Sequence, residues 1–393
     1  MPRRKEIKSP LDAWLLKEEV AEELRRVLGP RRARRVAKDP HARRKPRPCG
    51  ITVHPAQGCS LGCLYCYVPD MGFPTKPRPY HLSGEELAYA LAVNPHVVPG
   101  HTLAAFGSVT EPFLPGVAEK TLEYLRAVNE WLSLPCQVST KLVIDKELAA
   151  ELARAEPRLS VLISATTTRK AKILEPGAPP PQERIAGGGN VVRAGLRADL
   201  FLRPLIPGVT NEDDIRELLR LAKQQGLKGV VAGSLRLTPT NLRRLSLAGA
   251  DTNELMKLAR LKQPPKPGTQ VPVSTTHLKE TVKREAKKQG LQYLPAACAA
   301  NTLSHKLNCY LCRLGPCVTG KKHNLMDEDI ESPILELLNH LGIRNANVNI
   351  TTKGSEEPRV EVMGVPKMRT SNRKMLNLQS FLQEFLKVRV AFR

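Results

Sequence analysis

The residues best suited to chemistry are the cysteines, of which the 393-residue chain has nine. Cys59, Cys63 and Cys66 follow a C-x3-C-x2-C spacing inside the segment Gln57–Tyr67, and Cys298, Cys309, Cys312 and Cys317 fall within 20 residues of one another, leaving only Cys49 and Cys136 apart. An odd total gathered into tight groups is metal-ligand usage rather than a disulfide framework. Three thiolates on one loop suit a cubane [4Fe–4S] cluster in which one iron has no protein ligand. Tetrahedral zinc would want a fourth ligand or a water, and His54, on the strand side of the loop, could serve only awkwardly. An open iron can instead chelate the amino and carboxylate groups of S-adenosylmethionine (SAM), so that one electron from the cluster cleaves the sulfonium and yields a 5′-deoxyadenosyl radical. Structural zinc and an inert buried trio are the alternatives at this spacing.

The second group supplies four thiols, with His305 and His323 nearby. Four thiolates satisfy either a closed zinc site or a fully ligated second [4Fe–4S] cluster. The loop Asn308–Cys317 lacks a neat zinc-knuckle pair, which leans toward iron and sulfur, and either metal should fold the segment that holds it. Two smaller signals are weaker. Gly187, Gly188 and Gly189 do not follow a strand, so a local helix break is a better reading than a phosphate loop. Cys136 and Cys49 read as ordinary thiols, although Cys49 stands close enough to the first loop in sequence to be a hydrogen donor.

These side chains need a scaffold. From about residue 50, short apolar runs alternate with amphipathic stretches, the signature of βαβ units on a parallel sheet. Six strands are expected, at Ile51–His54, Thr102–Gly107, Gln137–Thr140, Ser160–Ser164, Leu200–Leu205 and Gly229–Leu235, with helices near Gly84–Ala92, Ala118–Leu132, Lys146–Ala155, Gln182–Ala194 and Glu212–Gln225. Asn211 caps the last of these, with Glu212, Asp213 and Asp214 on its first turn. Six βα units make a partial or full barrel whose site sits at the C-terminal ends of the strands. The three-thiol loop comes directly after the first strand.

The sequence divides into a basic N-terminal extension (1–48), the barrel core (49–245), a proline-rich linker and basic helix (246–290), a Cys-rich segment (291–325) and a small basic α+β domain (326–393). Leu11–Leu28 reads as an amphipathic helix, and the residues from there to Pro48, with Pro30, Pro40 and Pro46 among them, read as an irregular basic arm. The last domain is expected to hold a helix at Pro333–Leu341, strands near Asn347–Thr352 and Arg359–Met363, and a helix near Asn372–Leu386.

Composition narrows the partner. Sixty-one Lys and Arg against 38 Asp and Glu give a formal charge of +23, with 41% hydrophobic residues. Such a chain packs a core and is not wholly disordered. Residues 1–48 hold 16 Lys and Arg against seven Asp and Glu, and residues 353–393 nine against four. A surplus of this size makes a polyanion the default partner, with an anionic membrane surface as the rival. No run of 18 apolar residues and no apolar stretch behind the first charges is present, so a soluble, cytoplasmic protein is expected.

At the three-thiol loop the chain resembles the radical SAM superfamily, whose motif is C-x3-C-x2-C with an aromatic, here Tyr65, before the third cysteine. Within it the chain is similar to the spore photoproduct lyase-like group over roughly residues 50–240. The loop matches including Tyr65 and Tyr67, as do Lys76-Pro77, Pro79-Tyr80, Ser108-Val109-Thr110-Glu111-Pro112, Ser139-Thr140-Lys141, Glu175-Pro176-Gly177 with Arg184-Ile185, and Arg203 through Gly208. The resemblance implies a partial (β/α)6 barrel, a [4Fe–4S] cluster on Cys59, Cys63 and Cys66, and SAM contacts from Thr110, Lys141 and Ser164, with Lys141 or Arg236 on the methionine carboxylate. It implies catalytic roles for Tyr65 and Tyr67, which packing around the cluster could equally explain. It also favours iron and sulfur at the second cysteine group, and a ferredoxin or flavodoxin as electron donor. One departure stands out: the lyases use a strand-two cysteine to return a hydrogen atom, and Ser108 or Val109 occupies that place here.

The function expected is radical modification or repair of a nucleotide in RNA or DNA, the basic segments holding the polyanion. Modification of a protein or peptide, and a non-catalytic nucleic-acid-binding protein with structural metals, are the alternatives.

Overall fold

The computed structural model describes residues 7–46, 50–317, 329–351, 358–365 and 373–393. Cys49 and His323 lie outside the described residues. A central sheet carries seven parallel strands in chain order: β1 (Ile51–Val53), β2 (Ala104–Phe106), β3 (Cys136–Thr140), β4 (Ser160–Ala165), β5 (Arg197–Leu205), β6 (Gly229–Ser234) and β7 (Gln292–Leu294). The six expected strands are all present. The seventh, paired from Gln292 to Gly229 through Leu294 to Val231, extends the partial barrel past the expected boundary at residue 245.

Each crossover between β1 and β6 brings a helix back over the outer face, as parallel pairing demands. The helices Ala118–Leu132, Lys146–Ala155, Pro181–Arg193 and Glu212–Gln224 bury their apolar stripes there. The helix Pro181–Arg193 runs unbroken through Gly187, Gly188 and Gly189, which corrects the expected break. A Cβ on Gly187 would lie 2.8 Å from Ile144 N, on Gly188 2.9 Å from Ile163 Cγ1 and on Gly189 2.5 Å from Gln225 Oε1. The glycines let the helix press against β4 and its neighbours, a gain in close packing that outweighs their cost in helix propensity.

The basic N-terminal segment is not an irregular arm. Its helix runs Pro10–Val36 with a kink at Gly29 (φ 74°), and Pro30 opens the second half, the position where a missing N–H costs nothing. Val20 and Leu24 are buried in the barrel's core, while Trp14 packs edge-on at 5.1 Å from Phe381 of the C-terminal unit. A short 3-10 turn, Pro40–Ala42, then buries His41, whose Nδ1 meets Asp39 at 2.8 Å and whose Nε2 accepts the His54 N–H at 3.2 Å. Burial pulls His54 down to about 3, so it is neutral, and its ring lies against His41 and Phe73 rather than the thiol loop.

The C-terminal unit pairs Asn347–Thr351 (β8) antiparallel with Arg359–Met363 (β9), and β9 parallel with Arg389–Phe392 (β10), under the helices Glu331–His340 and Arg373–Leu386. β10 was not expected from the sequence. In the proline-rich stretch, Val271–Pro272 pairs with Arg236–Leu237 and Val273 is buried, so this segment is fastened to the barrel rim. Among the described residues no helix is long and apolar enough to cross a membrane.

Candidate active site

A cavity of about 340 Å³ opens at the C-terminal ends of β1 to β6. It is the meeting place of the sequence-predicted residues: Cys59, Cys63, Cys66, Tyr65 and Tyr67 from the loop after β1, Thr110 after β2, Lys141 after β3, Ser164 on β4 and Arg236 after β6. Ala297 also lines it, at the start of the helix Ala297–Ser304, whose Ala299 and Ala300 pack with Leu162, Phe201 and Val231 of the sheet. Gln137 Nε2 ties this helix to β3 through the Ala297 carbonyl at 2.8 Å.

The thiol loop is held by tertiary bonds rather than by regular structure. Asn241 Nδ2 donates to the Tyr65 carbonyl (3.1 Å) and to the Arg236 carbonyl (2.8 Å). Asp70, at the loop's far end, accepts the hydroxyls of Thr238 and Thr240 at 2.6 Å each. Tyr65, between the second and third cysteines, donates its hydroxyl to Glu175, and Glu175 is in turn paired with Arg184, which donates to the Ser164 carbonyl at 2.7 Å. Arg184 and Glu175 are 0% and 1% exposed, so this is a fully desolvated ion pair linking the loop to β4. Glu111 performs the same service for β2 and β3, accepting from Thr140 Oγ1 at 2.5 Å and Lys141 N at 2.8 Å. Sequence reasoning placed Glu111, Glu175 and Arg184 in motifs but gave them no role, because their partners lie up to 110 residues away.

Burial pushes Cys63 up to about 12 and raises Cys59 and Cys66 as well, which disfavours free thiolates and leaves metal binding to supply the compensation. Burial works to lower Lys141, but the charges of Cys63, Glu175 and Glu111 outweigh it and hold the ammonium. Its Nζ sits 5.7 Å over the Tyr65 ring. Two cavity hydroxyls, Ser108 Oγ and Thr110 Oγ1, are buried with no protein partner among the described residues. Buried hydroxyls without a partner are costly and mark the place of a ligand. The donor set therefore fits a cluster with SAM: three thiols on one loop, a cation beside them, and unspent hydroxyls across the cavity.

Among the described residues no three His, Cys, Asp or Glu side chains close on a point as a single-ion site requires. The three loop thiols line one cavity, and three thiolates are the number a cubane with one open iron needs. At the second group, Cys309 and Cys317 face each other across an antiparallel bridge with N–H to carbonyl bonds of 2.9 Å both ways. Cys312 lies in the turn between them, and Cys298 shares a small cavity with Cys309. His305 points away, with Nδ1 on the Asn301 carbonyl and Nε2 3.8 Å from Glu156. Cys136 is buried, donates to the Leu134 carbonyl at 3.3 Å and does not line the cavity.

Residues 53–222 match the model of the radical SAM superfamily. That stretch is a radical SAM domain. In sequence it is 33% identical over 190 residues to "Radical SAM Nalpha-GlyT isomerase" of Pseudomonas phage M6, covering 45% of this chain and 38% of that protein. A protein of Acidianus two-tailed virus, "Uncharacterized protein ORF301", is 25% identical over 191 residues, 45% of this chain and 62% of its own. The chain thus spans under two thirds of the length of either curated relative. In fold, the radical SAM domain and its surroundings are similar to a spore photoproduct lyase variant, with a TM-score of 0.52 and 18% identity over 62% of this chain and 75% of that one. A further variant of that lyase, solved with bound AdoMet and dinucleoside spore photoproduct, gives 0.50 at 14% identity over 62% and 74%.

Proposed function

We propose that the chain is a radical SAM enzyme that modifies or repairs a nucleotide within RNA or DNA. The observation that carries this reading is the cavity itself: loop thiols, the Lys141 ammonium and the unpartnered Thr110 and Ser108 hydroxyls share one space at the barrel mouth. Bound there, a [4Fe–4S] cluster with SAM supplies a 5′-deoxyadenosyl radical once a ferredoxin- or flavodoxin-type donor delivers an electron. Cys59, Cys63 and Cys66 hold the cluster. Lys141 or Arg236 meets the methionine carboxylate with a charge-assisted bond, and Thr110 and Ser164 orient the rest. Tyr65, buried and fixed on Glu175, positions the loop, whereas Tyr67, whose hydroxyl donates to the Ser108 carbonyl at 3.1 Å in the cavity wall, is the tyrosine placed to meet a substrate.

Support for a nucleotide comes from the charge of +23 and from the lyase of similar fold that takes a dinucleoside. No thiol besides the trio lines the cavity among the described residues, and the Tyr67 hydroxyl is a hydrogen source placed in its wall. The second cysteine group holds a further [4Fe–4S] cluster or zinc. The test is anaerobic reconstitution and then reduction: 5′-deoxyadenosine should form and rise when RNA or DNA is added, and peptides should give no rise. Cys63→Ala should abolish SAM cleavage and Cys312→Ala should leave part of it. A colourless protein that leaves SAM intact would refute the reading, and stimulation by peptides alone would move the substrate to protein.

A further inference from the structure

The cavity's charges are unevenly matched. Lys141 is ringed by Cys63, Glu175 and Glu111. Across from it, Arg203 on β5 and Arg236 after β6 line the same space, and neither guanidinium has a carboxylate within ion-pairing distance among the described residues. Arg203 is only partly exposed, its guanidinium carbon 5.6 Å from the centre of the Phe201 ring, and Arg236 stands near enough to disfavour its charge further. The path of its side chain is built in, because a Cβ on Gly233 would lie 2.8 Å from Arg203 Cδ. Arg203, largely desolvated and with the exposed Arg236 nearby, carries a charge that costs free energy until an anion joins it. SAM brings one carboxylate, and whichever of Lys141 and Arg236 takes it, Arg203 remains.

We propose that Arg203, stacked on Phe201, binds a phosphate of the target nucleotide at the rim of the SAM cavity. This rests on the nucleotide reading above and adds the group by which the substrate is gripped. A guanidinium fork meets two phosphate oxygens at once, and such a contact fixes the position of a nucleic acid without reading its sequence. The site supplies the register, and the cavity beyond it receives the base or sugar to be attacked. The phosphate belongs either to a phosphodiester flanking the target or to a free nucleotide.

The experiment uses the anaerobically reconstituted full chain. Binding of a fluorescein-labelled mixed-sequence 12-nucleotide DNA single strand, and of its RNA counterpart, is measured by anisotropy at several salt concentrations. Thymidine 5′-monophosphate and thymidine serve as competitors. Arg203→Gln should weaken oligonucleotide binding about tenfold and flatten the slope of log K against log salt by about 0.7, one single-strand phosphate. Gly233→Ala, which displaces the guanidinium without removing its charge, should also weaken binding, and it covers the case in which Arg203→Gln does not fold. Arg154→Gln, on the outer helix Lys146–Ala155, should change neither quantity. The monophosphate should compete and thymidine should not. If the monophosphate binds in an Arg203-dependent way while oligonucleotides do not, the site stands with a free nucleotide as its source. If oligonucleotides bind and Arg203→Gln matches the unaltered protein in affinity and slope, the phosphate site is overturned and the nucleic-acid reading survives. If neither oligonucleotide nor monophosphate binds the unaltered protein, both fall together.

Discussion

Replacing Arg184 by Met tests the claim that a buried ion pair, rather than the loop's own structure, positions the three thiols. Arg184 and Glu175 are 0% and 1% exposed, and Arg184 spans from Glu175 to the Ser164 carbonyl at 2.7 Å. Arg184→Met leaves the Glu175 carboxylate buried with the Tyr65 hydroxyl as its near donor and Thr166 Oγ1 distant at 3.5 Å. An uncompensated buried charge of this kind costs about 3–5 kcal/mol. The lower end is expected, because the Lys141 ammonium also acts on Glu175. The double change Arg184→Met with Glu175→Gln removes both charges and keeps an acceptor for Tyr65. The double variant forfeits the Arg184 bonds to Glu175 and to the Ser164 carbonyl but leaves no buried charge, so it should lie within about 1–2 kcal/mol of the unaltered protein. The two sites should therefore be coupled by at least about 2 kcal/mol. The assay is urea unfolding of the cluster-free chain by circular dichroism, alongside iron bound per chain after reconstitution. Arg184→Met should lose both stability and iron, and the double variant should recover much of each. A single variant costing under about 1 kcal/mol, or two changes that simply add, would refute the reasoning.

Three further outcomes can be checked. Gly107 comes just after β2 with φ 90°, and a Cβ there would run into the Ser139 carbonyl and lie 2.8 Å from Ser139 Oγ, so Gly107→Ala should cost about 2–4 kcal/mol by denaturant unfolding and lower iron uptake. Asp70→Ala frees the hydroxyls of Thr238 and Thr240 and should cost about 1–2 kcal/mol, with faster protease cleavage in the thiol loop. His101, stacked on Phe385 at 4.1 Å, is pulled down to about 4 by burial from its ordinary 6.5. The folded state resists protonation, so the unfolded chain binds protons first and stability is lost as pH falls from 6.5 toward 4, by about 2 kcal/mol at pH 5 for this one group. His101→Phe keeps the stacked ring without the titration, and its unfolding free energy should change less between pH 8 and pH 5 by about that amount.

What the sequence reveals and conceals here depends on the range of the interactions involved. The thiol trio and the six strands are local facts: a spacing within eight residues, and apolar runs whose neighbours are amphipathic helices. β7 escaped because three residues, Gln292–Leu294, carry no readable alternation, and only pairing with β6 makes them a strand. The helix across Gly29 and Pro30 escaped because those two residues end most helices, yet proline is tolerated when it begins a new first turn. The triple glycine was misread for the opposite reason: its cost in helix propensity is visible along the chain, while the atoms of Ile144, Ile163 and Gln225 that would strike a Cβ are not. The same logic separates the site residues. Lys141 and Arg203 are both cations at strand ends in apolar surroundings, and nothing along the chain distinguishes them. In the folded barrel one is encircled by Glu111, Glu175 and Cys63, and the other is left facing Arg236 over an aromatic ring. That difference in partners, created only by tertiary folding, separates a cation already neutralised by its neighbours from one left open to an anionic ligand.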